Sequence, residues 1–393
     1  MKYDFDTIID RRGTDTVKIG RLKELFGKED LIPLWVADMD FETPPFIRKA
    51  LEDRFRHPIF GYTIAFEDYW QSIISWLKYL HGWEIRREWL TYIPGIVKGI
   101  GLAIVHFTGK GDHVIIQPPV YHPFRMVTER NGRVVQNNPL IWDGTRYQMD
   151  LDHMEDVLKR RRCPLLVLSN PHNPGGCMWS KETLADLAHI CYKYNVTVIS
   201  DEIHADMPMF GNRHTPFTSV SQEAAQVGIV FGAPSKTFNM AGLVSSFAVI
   251  ENPQLRKAFY GFLHACELDD PTLIATIATH AAYSQGKEWH RQMLDYVENN
   301  INYVVTQLPR LIPLIKAPRP EASFLVWLDC RDLKKAGIED IPGFFTGAGL
   351  ALNDGSMFGP GGEGFMRLNV GCPKIILEKA LEQLYDHYRS IIC

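Results

Sequence analysis

Three apolar runs organise the middle of the chain. Leu165-Leu166-Val167-Leu168-Ser169, Val196-Thr197-Val198-Ile199-Ser200 and Gly228-Ile229-Val230-Phe231-Gly232 are short, rich in branched side chains and followed by turn residues. Such runs read as strands buried on both faces. Helical periods lie between them. Ser180 stands where it can cap a helix whose Leu184, Leu187, Ile190, Cys191 and Tyr194 share one face. From about residue 46 to about 285 strands and helical periods alternate, which predicts a mainly parallel sheet covered by helices. A longer stripe starts at Lys287 and carries Trp289, Met293, Tyr296, Val297, Ile301, Val304, Val305 and Leu308. Phe324 to Leu328 and Phe365 to Val370 read as strands. Pro373 opens a last helix with Ile376, Leu377, Ala380, Leu381, Leu384 and Tyr388 inward. No internal repeat is seen, which argues against a solenoid.

A chain of 393 residues exceeds the usual single core, so two domains are expected. Its 46% hydrophobic and 22% charged residues are those of a soluble globular protein. The formal charge of −4, from 42 basic and 46 acidic residues, gives no reason to expect nucleic acid or a membrane as partner. Seven scattered cysteines form no Cys-x-x-Cys pair and no Cys/His ligand spacing, so buried reduced thiols and no metal are expected. The acidic start Met1-Lys2-Tyr3-Asp4-Phe5-Asp6 lacks a signal-peptide core, and no apolar run reaches membrane-span length. The expectation is a cytosolic protein.

Candidate chemistry collects at the strand ends. The first runs into Asn170-Pro171-His172-Asn173-Pro174-Gly175-Gly176, the second into Asp201-Glu202-Ile203-His204, and the third into Ala233-Pro234-Ser235-Lys236. Open α/β sheets place ligands past the carboxyl ends of their strands. An amine partly removed from water there has a lowered pKa and can bond to an aldehyde carbon. Asp201 can hold a pyridine nitrogen protonated, Asn173 can donate to a phenolate oxygen, and Lys236 can carry the aldehyde. Singly, Asn173 reads equally as part of a turn, Asp201 as a helix cap and Lys236 as a solvated lysine. Their order and spacing together favour a pyridoxal phosphate site.

With these motifs the chain resembles the fold-type I pyridoxal-phosphate superfamily, and more narrowly the MalY/PatB kind of cystathionine β-lyase. The resemblance runs nearly end to end. It includes Pro33 to Phe41 (Pro-Leu-Trp-Val-Ala-Asp-Met-Asp-Phe), Phe60-Gly61-Tyr62-Thr63, Pro94-Gly95-Ile96-Val97, Pro118 to Phe124 and Met366 to Pro373. It implies an α/β fold: a large domain (46–285) with a mainly parallel seven-stranded sheet, a smaller α+β carboxyl-terminal domain (286–393), and a segment 1–45 packing with the latter.

The resemblance also assigns roles. Ile96 and Val97 serve the cofactor phosphate at a helix start, where free N–H groups and the helix dipole suit an anion. Ser235 adds a hydroxyl. No strand pattern is read directly before Pro94. Val244 stands where many aminotransferases carry a phosphate-binding arginine, so Tyr62 of a neighbouring subunit in a homodimer is the expected substitute. Tyr121 stacks on the ring and assists the departing sulfur, and His204 bonds the phenolate oxygen. An arginine within an apolar strand must be paired, so Arg367 is assigned to the substrate α-carboxylate, with a structural salt bridge as the alternative. Val36 and Ala37 close over the same group. The implied reaction is β-elimination on cystathionine, cysteine or a cysteine S-conjugate, giving thiol, pyruvate and ammonia. A transaminase would need the same Lys236, Asp201 and Arg367. A protein-binding regulator, a role known in one family member, would not need them.

Overall fold

The computed structural model describes residues 2–392. A seven-stranded sheet forms its centre, in the order Leu90–Ile93, Ser246–Val249, Gly228–Gly232, Thr197–Asp201, Leu165–Ser169, His113–Ile116, Val134–Asn137. Ser246–Val249 is antiparallel to both neighbours, and the other pairings are parallel. Side chains alternate between the two faces. Val114, Ile116, Leu165, Val167, Ile199 and Ile229 join one buried cluster with Ile100, Ile104, Phe259 and Leu263 from helices Ile96–Phe107 and Pro253–Ala265. Ile115, Leu166, Leu168, Val198 and Val230 face the opposite way, into a cluster that includes Trp76, Tyr283 and Trp289. Burial on both sides is why these strands read as continuous apolar runs.

Ser180 caps the helix Lys181–Lys193 by accepting from the Thr183 N–H at 3.1 Å. The helix Lys287–Leu311 buries Trp289, Met293, Val297, Ile301, Val304 and Leu308. It leads to a second, antiparallel sheet with Phe365–Asn369 between Leu325–Asp329 and Asn353–Asp354. That register places Trp327 and Asn353 on either side of Arg367. The last helix, Lys374–Ile392, sets Leu377, Leu381 and Leu384 around the same small apolar gap as Leu328 and Leu368. The amino-terminal residues thread between these parts. Ile32–Pro33 pairs in parallel with Leu350–Ala351, and Phe5 packs on Phe41, Trp289 and Tyr296. Among the described residues no helix is long and apolar enough to cross a membrane.

One expectation is corrected. A strand, Leu90–Ile93, runs straight into Pro94-Gly95, and all four of its residues are buried. It escapes the sequence pattern because it is short, is interrupted by Thr91, and follows a single turn at Arg87–Trp89.

Candidate active site

The co-directed strands end at one edge of the sheet, and the antiparallel strand begins there. Their loops enclose a cavity of about 320 Å³ lined by Ala37, Ile96, Val97, Tyr121, Asn173, Asp201, His204, Ser235 and Lys236, among others. Lys236 follows the turn after Gly228–Gly232, and its Nζ donates to the Ala37 carbonyl. Burial lowers the pKa of this amine to about 8, against the pull of Asp38. Asp201 ends its own strand and accepts one backbone N–H, from Ile203 at 3.1 Å. Burial raises its pKa to about 7. His204 meets the Ser323 hydroxyl at 3.1 Å, and burial lowers its pKa to about 3, so its imidazole is neutral.

Arg367 lies outside the cavity lining and meets it through Asn173. Its guanidinium donates to Asn173 Oδ1 at 2.9 Å, Asn353 Oδ1 at 2.6 Å and the Trp35 carbonyl at 3.0 Å, and lies 4.9 Å over the Phe358 ring. Its Nε has no partner. No carboxylate among the described residues pairs with it, and burial lowers its pKa to about 10. A buried cation met only by neutral acceptors is costly until an anion arrives.

At the opposite end the helix Ile96–Phe107 starts from Gly95, whose φ of 105° favours glycine. Its first N–H groups have no acceptor within the helix and point where an anion is favoured. Amine, buried carboxylate, amide and anion-binding helix start therefore surround one cavity, with a buried cation bonded to the amide.

The model for aminotransferase class I and II matches residues 29–384. The chain belongs to that family. Within it, the chain is of the MalY/PatB type. It is 40% identical over 381 residues to cystathionine β-lyase PatB of Bacillus subtilis, covering 97% of this chain and 98% of that one. It is 31% identical to protein MalY of Escherichia coli, covering 99% and 100%. Among solved structures, cystalysin of Treponema denticola, which contains pyridoxal 5′-phosphate, superposes with a TM-score of 0.93 at 32% identity, covering 99% of this chain and 100% of that one.

Family members of this type depend on pyridoxal phosphate, and the residues here fit it. Asp201 is a buried carboxylate with no cation bonded to it, suited to a protonated ring nitrogen. The helix start offers the phosphate N–H donors, and Ser235 Oγ, now donating to the Ser245 carbonyl at 3.3 Å, lies beside them. Asn173 spends its side-chain oxygen on Arg367, which leaves its NH₂ group for an oxygen acceptor. Among the described residues no cluster of His, Cys, Asp and Glu is placed to hold a metal.

The structure brings most of the family motifs together, and leaves Tyr62, Val36 and Arg367 outside the cavity lining, Arg367 touching it through Asn173. Tyr62 is fully exposed and outside the cavity lining, and the Val36 carbonyl accepts from Asn369 Nδ2 at 2.6 Å. Sequence reasoning missed Gly95, Lys98, Ser169, Ile203 and Ser246 as lining residues, and Asn353 and Phe358 as partners of Arg367. Ser246 was within reach, because an antiparallel strand must start at the edge where its neighbours end. Asn353 was not, because its two-residue strand carries no pattern.

Proposed function

We infer that this protein is a pyridoxal-phosphate-dependent carbon–sulfur β-lyase acting on an α-amino acid with sulfur on its β carbon. The likeness to PatB over almost the whole chain carries this reading, with a cavity suited to the chemistry as its support. Bound there, the cofactor supplies an aldehyde for covalent bonding and a ring that accepts the electron pair left at the substrate Cα. Arg367 exchanges its neutral acceptors for the substrate α-carboxylate, and the backbone at Val36 and Ala37 closes over it. Lys236, whose low pKa leaves much of it neutral near pH 8, takes the Cα proton. Asp201 keeps the ring nitrogen protonated. Tyr121 lies against the ring face, and its hydroxyl, held protonated by burial, donates to the departing sulfur. His204 and Asn173 hold the ring's phenolate oxygen. Ile96, Val97 and Ser235 hold the phosphate.

We also propose a division into 1–45, 46–285 and 286–393, and a homodimer in which Tyr62 completes the partner's phosphate site. The exposed stretch Ile59, Phe60, Tyr62 and Ile64 supports the dimer, as does Val244 in place of a phosphate-binding cation. Free thiols at the six described cysteines support a cytosolic place. Incubation of purified protein with pyridoxal phosphate and L-cystathionine tests the activity. Thiol, pyruvate and ammonia should appear in equal amounts with no keto acid added. A requirement for a keto acid, with a new amino acid as product, would make the protein an aminotransferase instead.

A further inference from the structure

We propose that Asp38, clamped by Arg11 and Lys18, is a positioning residue that fixes the Ala37 carbonyl on Lys236 and sets the charge felt by that amine. Asp38 and Asp40 belong to the Trp35 to Phe41 motif, yet neither has a part in the chemistry above. Neither lines the cavity, and both bond to the amino-terminal segment. Arg11 binds Asp38 through both guanidinium nitrogens, at 3.0 and 2.8 Å, and Asp40 at 2.7 Å. Lys18, only 1% exposed, binds Asp40 at 2.7 Å and lies 3.4 Å from Asp38. Two cations, one of them buried, thus meet two partly buried carboxylates in a network with several hydrogen bonds, unlike an isolated surface pair.

The clamped segment is fastened on two further sides. Asn369 Nδ2 donates to the Asp38 carbonyl at 2.7 Å, and the Asp40 N–H to the Gly371 carbonyl at 2.8 Å. Asn239, three residues beyond Lys236, accepts from the Met39 N–H at 3.1 Å and donates to the Phe41 carbonyl at 2.7 Å. Ala37 sits between the Val36 and Asp38 carbonyls, both of which accept from Asn369 Nδ2. Its carbonyl has little freedom to leave the Lys236 amine unless the clamp yields.

The clamp also acts through charge. Asp38 and Asp201 face Lys236 as carboxylates, Arg367 and Lys18 as cations, and His204 and Tyr121 are neutral. Burial favours the uncharged amine most, and Asp38 is the foremost charge opposing it. Losing Asp38 therefore makes a proton on the Lys236 nitrogen easier to lose. Losing Arg11 or Lys18 frees more of the Asp38 charge and makes that proton harder to lose.

This inference rests on Lys236 being the cofactor-bearing amine, and the experiment separates the two. In the cofactor-loaded full-length protein, the pH midpoint of the visible absorption band reports the proton on the Lys236 nitrogen. Asp38→Asn should lower that midpoint by about half a unit or more, and Lys18→Met should raise it, since a charge this close moves a pKa on the order of one unit. Lys18→Arg should restore it. General loosening would shift both variants the same way. Arg11→Gln, at a partly exposed side chain, should also shift the midpoint upward, and decides alone if a buried substitution yields no folded protein. Shifts of one sign, or none in protein of native circular dichroism, would overturn the clamp. Absence of any band on Lys236 would instead overturn the site assignment.

Discussion

Three ionisable side chains at or beside the cavity are buried at a cost to their charged forms: Asp201, Lys236 and Arg367. For Asp201, a rise from 3.8 to about 7 corresponds to roughly 4 kcal/mol on full ionisation. Its folded pKa lies above the unfolded one, so the stability tied to the protonated acid is complete below about pH 4 and is lost as pH rises through about 7. Asp201→Asn should therefore melt higher than the wild type at pH 8 without cofactor, and much closer to it near pH 4. In the loaded enzyme the same change should lower kcat on the order of 10²–10³-fold, because the ring nitrogen loses its anion. Near-normal turnover would mean that another group protonates the ring. Arg367→Leu should cut kcat/KM for every α-amino acid substrate at least about ten-fold, since each charge-assisted hydrogen bond contributes roughly 1.5–3 kcal/mol. Cofactor affinity, measured by titration of the visible band, should stay near normal. Asn173, Asp201 and Lys236 were legible in the sequence because each stands at, or one turn beyond, the end of an apolar strand. The partners of Arg367 were not, because Asn353 reaches it only through the register of a small sheet, and Phe358 through the turn that follows that short strand.

Among the elements, the helix Ile96–Phe107 is the one proposed to hold the phosphate, and Gly99 seats it. A Cβ there would come within 2.7 Å of Ile93 Cδ1 and 3.2 Å of a Phe231 ring carbon. Gly99→Val should push the helix off the sheet, at a cost of about 1–3 kcal/mol. The displaced N–H groups should weaken binding of pyridoxal phosphate more than that of pyridoxal, which lacks the phosphate. Thermal melts and cofactor titrations measure the two effects. Equal losses for both ligands would show that the helix start does not serve the phosphate. Helices with caps and long stripes, such as Lys181–Lys193 and Lys287–Leu311, could be read directly. The pair Ile32–Pro33 and Leu350–Ala351 could not, since each strand exists only because a segment some three hundred residues away lies beside it.

At the scale of the whole molecule, a shared phosphate site would make activity depend on association. Lys236→Ala and Tyr62→Ala, each inactive alone, should regain activity when their subunits exchange. A twofold heterodimer then holds one site with both lesions and one with neither. A mixture that stays inactive despite demonstrated exchange, or full activity of Tyr62→Ala alone, would remove Tyr62 from the site. The thread of amino-terminal chain between the two sheets has another consequence, for the order of synthesis. When a ribosome has delivered Lys236, the segment carrying Asp38 is long finished, but Arg367 and Asn369 are not yet made. The carbonyls on either side of the one that meets the amine are fastened by Asn369, and the cation that bonds Asn173 at the cavity is Arg367. A nascent chain can fold its large sheet and still lack a closed site. Cofactor capture therefore falls to the released polypeptide, and a shortage of cofactor would leave full-length molecules, not stalled fragments, for proteases to find.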